Sequence, residues 1–578
     1  MLTREQKKFL GNLLSNKIEK IAKITKPKEV FILNGEKKEK ELLIEKLLQR
    51  KKIIKLKWRN CYLYRTKVED SARSEASTYV CTRKKEDAGP TNNWVNPKRI
   101  MRILLKFLKN SMNEKTMYVI PYILGPEKSP YSRIGVIITD NEYVALNELI
   151  IAKVTKEAIT RIKNGEKFVF GIHSNCNLDV KNRYIVHFPE KNEIISINTE
   201  YGGNALLTKK CHSLRIASFQ ARNEGWLAEH MMAVEIRDPK NKTFGLVGAF
   251  PSMAGKTNFA TMKLSKKFKD WKVKLLSDDI VWIHERNRKL YAINPEYGIF
   301  GVASGTNKHT NPNIMKIIKE DTIFTNVAIT DDLQPWWEGL AMNKKIIDFQ
   351  GNPYNKNSLA AHPNSRFTTS IIRYPYLSNY FFKPSGLPIH IIIFGCRRKD
   401  LIPLVFETFS WEEGVLFGAM LRTETTSAVV EGVGELQHDP MAMRAFCGYN
   451  MGEYFRHWLW IGKRINKKQK IFIVNWFRRD KNGKFIWPGF EKNMYVVEWM
   501  IRRYANKING IKTPIGIIPD YNTSNFGISK NKFKQLFEID KEKWLEEIQE
   551  AKNYFSKFNK FPKTLFKKLQ ELEKRFNI

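Results

Sequence analysis

The stretch AFPSMAGKTN, residues 249–258, sets a glycine, a lysine and a hydroxyl residue side by side at Gly255, Lys256 and Thr257. Those types suit a polyphosphate: glycine permits a tight turn whose backbone N–H groups face the oxygens, lysine cancels charge, and threonine offers a hydroxyl to a metal ion. The opening is unusual, because Phe250 and Pro251 stand where such loops carry glycine. GKT alone is weak evidence. It gains weight from KVKLLSDDIVWI, residues 272–283, which reads as a buried strand delivering Asp278 and Asp279. A carboxylate at a strand end beside a phosphate loop can hold a divalent cation on the phosphates.

These groups need elements to position them. TFGLVGAF reads as a strand running straight into the loop, and NFATMKLSKKF as the helix that follows. Upstream, apolar spacing of three and four predicts helices over 37–50 and 97–110, with a turn-rich loop over 87–97 between them. Strands are expected at 118–125 and 133–140, and strands and short helices alternate to about residue 225. The fold class is α/β, with a boundary near 225 dividing residues 1–225 from 226–578. The last 45 residues or so read as helical with alternating charge, and no internal repeat is present.

At 578 residues, 42% hydrophobic, the chain is too long for one ordinary core. No apolar run reaches the roughly 20 residues that span a bilayer, and the charged start lacks a cleavable signal, so a cytoplasmic protein without membrane contact is expected. The cysteines Cys61, Cys81, Cys176, Cys211, Cys396 and Cys447 lie far apart, which argues against a disulfide framework or a cysteine zinc site. A net charge of +40 favours anionic partners. Its lysines alternate with glutamates on helical segments, as solvated faces do, so nucleic acid is not expected as a partner.

Several further motifs stand in order along the chain: DSARSEAS, YGGNALLTKKC, WLAEHM, FPSMAGKTN, LLSDDIVWI, INPEYGIFGVASGTN, HPNSRF, FGCRRKD, HDPMAMRAFCGYN and NWFRRDKNGKFIWPGF. From about Arg73 to about Trp499 this series resembles the GTP-dependent phosphoenolpyruvate carboxykinases, and Phe250 and Pro251 match that family's own entry into its loop. The resemblance implies a bilobal α/β carboxykinase fold whose C-terminal domain bears the phosphate loop and binds nucleotide and metal. It implies reversible conversion of oxaloacetate and GTP to phosphoenolpyruvate, carbon dioxide and GDP, in gluconeogenesis or anaplerosis, by a monomer.

Residue by residue, the resemblance makes Lys210, His230 and Asp279 ligands of a catalytic Mn2+, a nitrogen-rich set suited to a borderline metal. A lysine ligates only as the neutral amine, so Lys210 must lie far below its usual pKa of about 10.4; Lys209 would be its charged partner. Ser252, Met253, Ala254, Gly255, Lys256, Thr257 and Asn258 would wrap the phosphates, with Thr257 reaching a second ion, Mg2+ or Mn2+. Asp278 would orient Thr257 or a metal-bound water. Trp476, Phe477, Phe485 and Phe490 would sandwich guanine while Asn493 reads its edge; stacking tolerates any base, whereas edge hydrogen bonds discriminate. Arg73 would clamp the substrate carboxylate against Tyr201, Gly202 and Gly203. Asn364, Arg366 and Arg397 would bridge substrate and γ-phosphate, an arginine fork matching two oxygens at once. The segment at about 425–436 corresponds to the family's mobile lid, which would keep water from an enolate.

One departure stands out: the family typically carries a reactive cysteine just before the glycine of GKT, and here that residue is Ala254. No step demands a thiol, so activity without sensitivity to thiol reagents is expected. Two alternatives stay open on sequence alone: a nucleic-acid-binding protein on a carboxykinase scaffold, motivated by the charge, and a carboxykinase using ATP or pyrophosphate. The phenylalanines favour a base-bearing donor and the WPGF segment favours guanine.

Overall fold

The computed structural model describes residues 1–342, 344–355, 357–425, 434–466, 469–524 and 526–577. Its residues group into two compact units. One comprises Met1–Ala88, Asn92–Phe219 and Pro295–Pro375; the other comprises Gly89–Thr91, Gln220–Asn294 and Tyr376–Ile578.

The first unit is built on a mixed sheet. It includes β1 (Thr116–Leu124), antiparallel to β2 (Arg133–Thr139), which runs parallel to β3 (Phe168–Ser174), itself parallel to β4 (Glu193–Ile197). Every residue of β1 is buried, so both of its faces are covered and its sequence is a continuous apolar run. The expected helix near 97 is Pro97–Leu108. Asn96 accepts from the N–H groups of Lys98 and Arg99, proline opens the first turn, and Ile100, Leu104 and Leu108 recur every four residues to enter the core. The helix near 37 is Lys37–Gln49. Within the same unit Leu207–Ile216 forms a π-helix, a rare conformation that concentrates at functional sites.

The second unit is organised by β5 (Met231–Arg237), β6 (Thr243–Ala249), β7 (Lys272–Ser277), β8 (Leu387–Cys396) and β9 (Lys470–Asn475). β5 pairs antiparallel with both β6 and β7, while β6, β8 and β9 run parallel, so the phosphate loop leaves the end of a central strand. The following helix, α1 (Lys256–Ala260), is shorter than the sequence pattern predicts: the Thr261 hydroxyl donates to Thr257 O at 2.8 Å and its backbone leaves helical geometry. The C-terminal segment is helical as expected, over Lys530–Phe537, Lys541–Phe555 and Lys563–Asn577.

Candidate active site

In the second unit the loop from Phe250 to Gly255 is anchored by an aromatic wedge. Phe250 is fully buried, stacked on Trp476 at 6.4 Å and 17° and tilted against Phe259 at 6.0 Å. Its ring lies over Gly395, where an added Cβ would come within 2.2 Å of two ring carbons. Close approach to glycine seats the ring against β8, and burial of such a ring contributes on the order of 2–3 kcal/mol. Trp476 is therefore packing behind the loop, not an open stacking face. Gly255 has φ 86°, the left-handed geometry that glycine adopts without cost, and it starts α1 with Lys256 and Thr257 in the first turn.

Lys256 Nζ donates to Asp279 Oδ1 at 2.6 Å, and His230 Nε2 lies 3.1 Å from the same oxygen. His230 Nδ1 is 3.0 Å from the Ala442 carbonyl, which can only accept, so that nitrogen carries the proton. Nε2 is thereby turned toward Asp279, which is how a metal-binding imidazole is fixed by its other nitrogen. An imidazole lone pair and a carboxylate oxygen this close fit a shared divalent cation. Beside His230, burial pushes the Glu229 carboxyl up to about 8, opposed by hydrogen bonds from Tyr454 and Trp458.

Arg397 follows the end of β8. Its Nη1 donates to Met253 O at 3.2 Å and its guanidinium sits 4.4 Å from the Phe477 ring centre. Glu424 joins this group: its carboxylate is 3.9 Å from Arg397 Nε and 3.5 Å from Arg479 Nη2, and its N–H donates to Arg397 O at 2.7 Å. Burial lowers the Arg397 pKa and Glu424 opposes it. Phe485 and Phe490 are 51% and 47% exposed, so both rings are open to a ligand. Phe477 meets Phe485 edge to face at 5.8 Å. Asn493 is buried, with Oδ1 accepting from Trp487 Nε1 at 2.8 Å. Asp278 is buried at the end of β7, whereas Ser252 and Met253 are exposed and Ala254 is buried. Thr257 and Asn258 are half-buried. Arg422–Glu424 and Leu436–His438 pair antiparallel; residues 426–433 of the expected lid lie outside the described residues.

In the first unit, Arg73 is fixed by its neighbours' backbone. Asn204 accepts from Ser74 N–H at 3.1 Å and donates to Ala72 O at 3.1 Å. Arg73 Nη2 lies 2.7 Å from Glu75. Asp70, buried in the same motif, accepts from the Thr199 hydroxyl at 2.6 Å and from the N–H groups of Glu200 at 2.6 Å and Tyr201 at 3.1 Å. It thus sets the Tyr201–Gly203 turn. A Cβ on Gly203 would lie 2.7 Å from the Tyr201 ring and 3.6 Å from Arg73 Cβ, and one on Gly202 would lie 2.7 Å from Phe300. The Tyr201 hydroxyl donates to Asn364 O and accepts from Arg366 Nε at 3.0 Å, which gathers three expected substrate residues.

Lys209 and Lys210 project from the π-helix. Lys209 Nζ donates to the buried Glu296 at 2.7 Å, and Lys210 is half-buried. The start of that helix is held by Glu148, which accepts from the Thr208 hydroxyl and, at 3.3 Å, from Thr208 N–H; burial pushes this carboxyl up to about 7. Sequence reasoning missed Asp70, Asn204, Glu148, Glu296, Glu424 and Trp487. Asp70, Asn204, Glu296 and Trp487 carried a signal, since all four stand inside motifs already singled out; Glu148 and Glu424 carried none.

Comparison with known proteins places the whole chain among relatives of one family. The family model described as phosphoenolpyruvate carboxykinase C-terminal P-loop domain matches residues 226–575, and that of the N-terminal domain matches residues 17–222. Relatives named phosphoenolpyruvate carboxykinase [GTP] include one from Thermoplasma volcanium, 46% identical over 96% of this chain and 97% of its own length. Another, from Anaeromyxobacter dehalogenans, is 43% identical over 94% of this chain and 93% of its own. One from Neocallimastix frontalis is 42% identical over 96% of each. The likeness thus reaches beyond residues 73–499, into both ends. Among the described residues no helix is long and apolar enough to cross a membrane.

Proposed function

The chain belongs to the phosphoenolpyruvate carboxykinase family, and from that premise we propose that it converts oxaloacetate and GTP reversibly to phosphoenolpyruvate, carbon dioxide and GDP. The observation that carries this reading is the meeting of the loop lysine and a buried imidazole on one carboxylate: Lys256 at 2.6 Å and His230 at 3.1 Å from Asp279 Oδ1.

Lys210, His230 and Asp279 would hold Mn2+, and Thr257 and Asp278 would serve Mg2+ or Mn2+ on the nucleotide. Such ions supply electrophilic stabilisation of oxyanions and phosphate charge. Arg73 grips the substrate carboxylate, and the turn at Tyr201–Gly203, braced by Asp70, fixes its orientation. When the C–C bond to carbon dioxide breaks, its electron pair passes to the keto oxygen, and preorganised cations lower that charge's energy. Lys209, neutralised by Glu296, positions the adjacent amine. The enolate oxygen then attacks the γ-phosphorus as the bond to GDP breaks, with Lys256, Arg366 and Arg397 offsetting charge on the transferring oxygens. Asn364 orients the substrate, and the site must exclude the water that would protonate the enolate to pyruvate. Phe477, Phe485 and Phe490 receive the base. A cytoplasmic monomer in gluconeogenesis or anaplerosis completes the reading.

The test is phosphoenolpyruvate formation from oxaloacetate and Mn2+ with GTP, ITP, ATP or pyrophosphate in turn. Product is expected from GTP and ITP; none from any donor refutes the assignment. Lys256→Ala and His230→Ala should each lower the rate by roughly 10³-fold or more, and wild-type rates in both would mean the site is elsewhere.

A further inference from the structure

Taking the guanine-nucleotide reading of this site as given, we propose that Trp487 is a positioning residue for purine selection, fixing the Asn493 amide so that it offers only N–H donors to the base. Trp487 is 2% exposed and its Nε1–H donates to Asn493 Oδ1 at 2.8 Å. An indole nitrogen can only donate, so the amide carbonyl must face it and the Nδ2 hydrogens must face away. Among the described residues, Nδ2 holds no acceptor of its own. The amide cannot drift: Asn493 begins the helix Asn493–Tyr504 and is 5% exposed, while the Trp487 ring packs edge-on to Phe526 at 6.1 Å.

Phe485 and Phe490, exposed before Asn493, offer ring faces that any base can stack on, so they cannot choose among purines. A donor-only edge can choose. It pairs with the carbonyl at C6 of guanine or hypoxanthine and meets the C6 amino group of adenine donor to donor, leaving both unpaired. Without the indole N–H, the amide is free to turn over and present Oδ1 to an amino group. Trp487 touches no part of the base in this account; it acts through Asn493.

The experiment is calorimetric titration of wild type and Trp487→Phe with GDP, IDP and ADP, with no turnover required. In wild type, GDP and IDP should bind alike and ADP more weakly. In Trp487→Phe the GDP-over-ADP preference should fall by about tenfold or more, the loss of one enforced hydrogen-bond match. A merely structural role would weaken all three alike and leave the ratio unchanged, which overturns the proposal, as would IDP behaving like ADP in wild type. Failure of wild type to bind any of the three would instead sink the carboxykinase reading. If Trp487→Phe does not fold, Asn493→Asp tests the contact through which Trp487 must act: one carboxylate oxygen takes the indole N–H and the other faces the base, and a preference that does not shift toward ADP overturns the proposal.

Discussion

Phe250 and Gly395 form a lock whose two halves can be broken separately and together. Gly395→Ala puts a Cβ 2.2 Å from Phe250 Cδ1 and Cε1, far inside contact distance, with β6 and β9 paired on either side of β8 so that its backbone cannot retreat. Overpacking of this kind costs about 3 kcal/mol, the upper end of the usual range. Phe250→Ala removes a fully buried ring and leaves a cavity beside Trp476 and Phe259, costing about 3–5 kcal/mol. In the double variant the methyl introduced at position 395 enters the space the ring vacated, so the penalties should not add. A total near 4–5 kcal/mol, not 6–8, is expected, a coupling of about 2–3 kcal/mol. For a unit of this size roughly 2 °C accompanies each kcal/mol. The melting temperature should fall by about 6 °C, 6–10 °C and 8–10 °C in Gly395→Ala, Phe250→Ala and the double variant, as read by thermal melts of tryptophan fluorescence. GDP affinity should weaken in both single variants, because the loop has lost its seat. An unchanged melt for Gly395→Ala, or a double variant equal to the sum of the singles, would refute the wedge.

The cysteines predict chemical inertness: burial pushes Cys61 and Cys396 up to about 12 and Cys81 and Cys211 up to about 11, and raises Cys176 and Cys447 as well. With Ala254 in the loop, N-ethylmaleimide at neutral pH should leave turnover intact, and rapid inactivation that GTP prevents would contradict this. His390 Nδ1 accepts from Gly245 N–H at 2.9 Å, and burial pulls its pKa down to about 4. Its folded pKa is thus depressed, so its contribution is whole above about 6.5 and is lost as pH falls toward 4. His390→Asn keeps an acceptor without titrating; its melting temperature should fall less steeply than that of wild type between pH 6.5 and 4, and parallel slopes would exclude the effect.

What the chain announces locally, it announces clearly. The loop, the acid pair after Ser277, the helix opened by Asn96 and Pro97, and the buried strand Thr116–Leu124 each follow from neighbouring residues whose spacing matches one backbone period. Motif order carried the family. The short helix α1 was not legible, because the backbone leaves helical geometry at Thr261 despite good helix formers nearby. Nor was the grouping of Pro295–Pro375 with the N-terminal unit, or the bracing of site residues by Asp70, Asn204, Glu296 and Glu424. Those partners are met across long stretches of chain, and a buried carboxylate looks in sequence like any solvated one. The sequence by itself determined which groups could do phosphate and carboxylate chemistry. Tertiary structure decided which ring nitrogen His230 turns toward Asp279, which edge Asn493 keeps for a ligand, and why phenylalanine opens the loop, because each depends on a partner that only folding brings within hydrogen-bond or van der Waals reach.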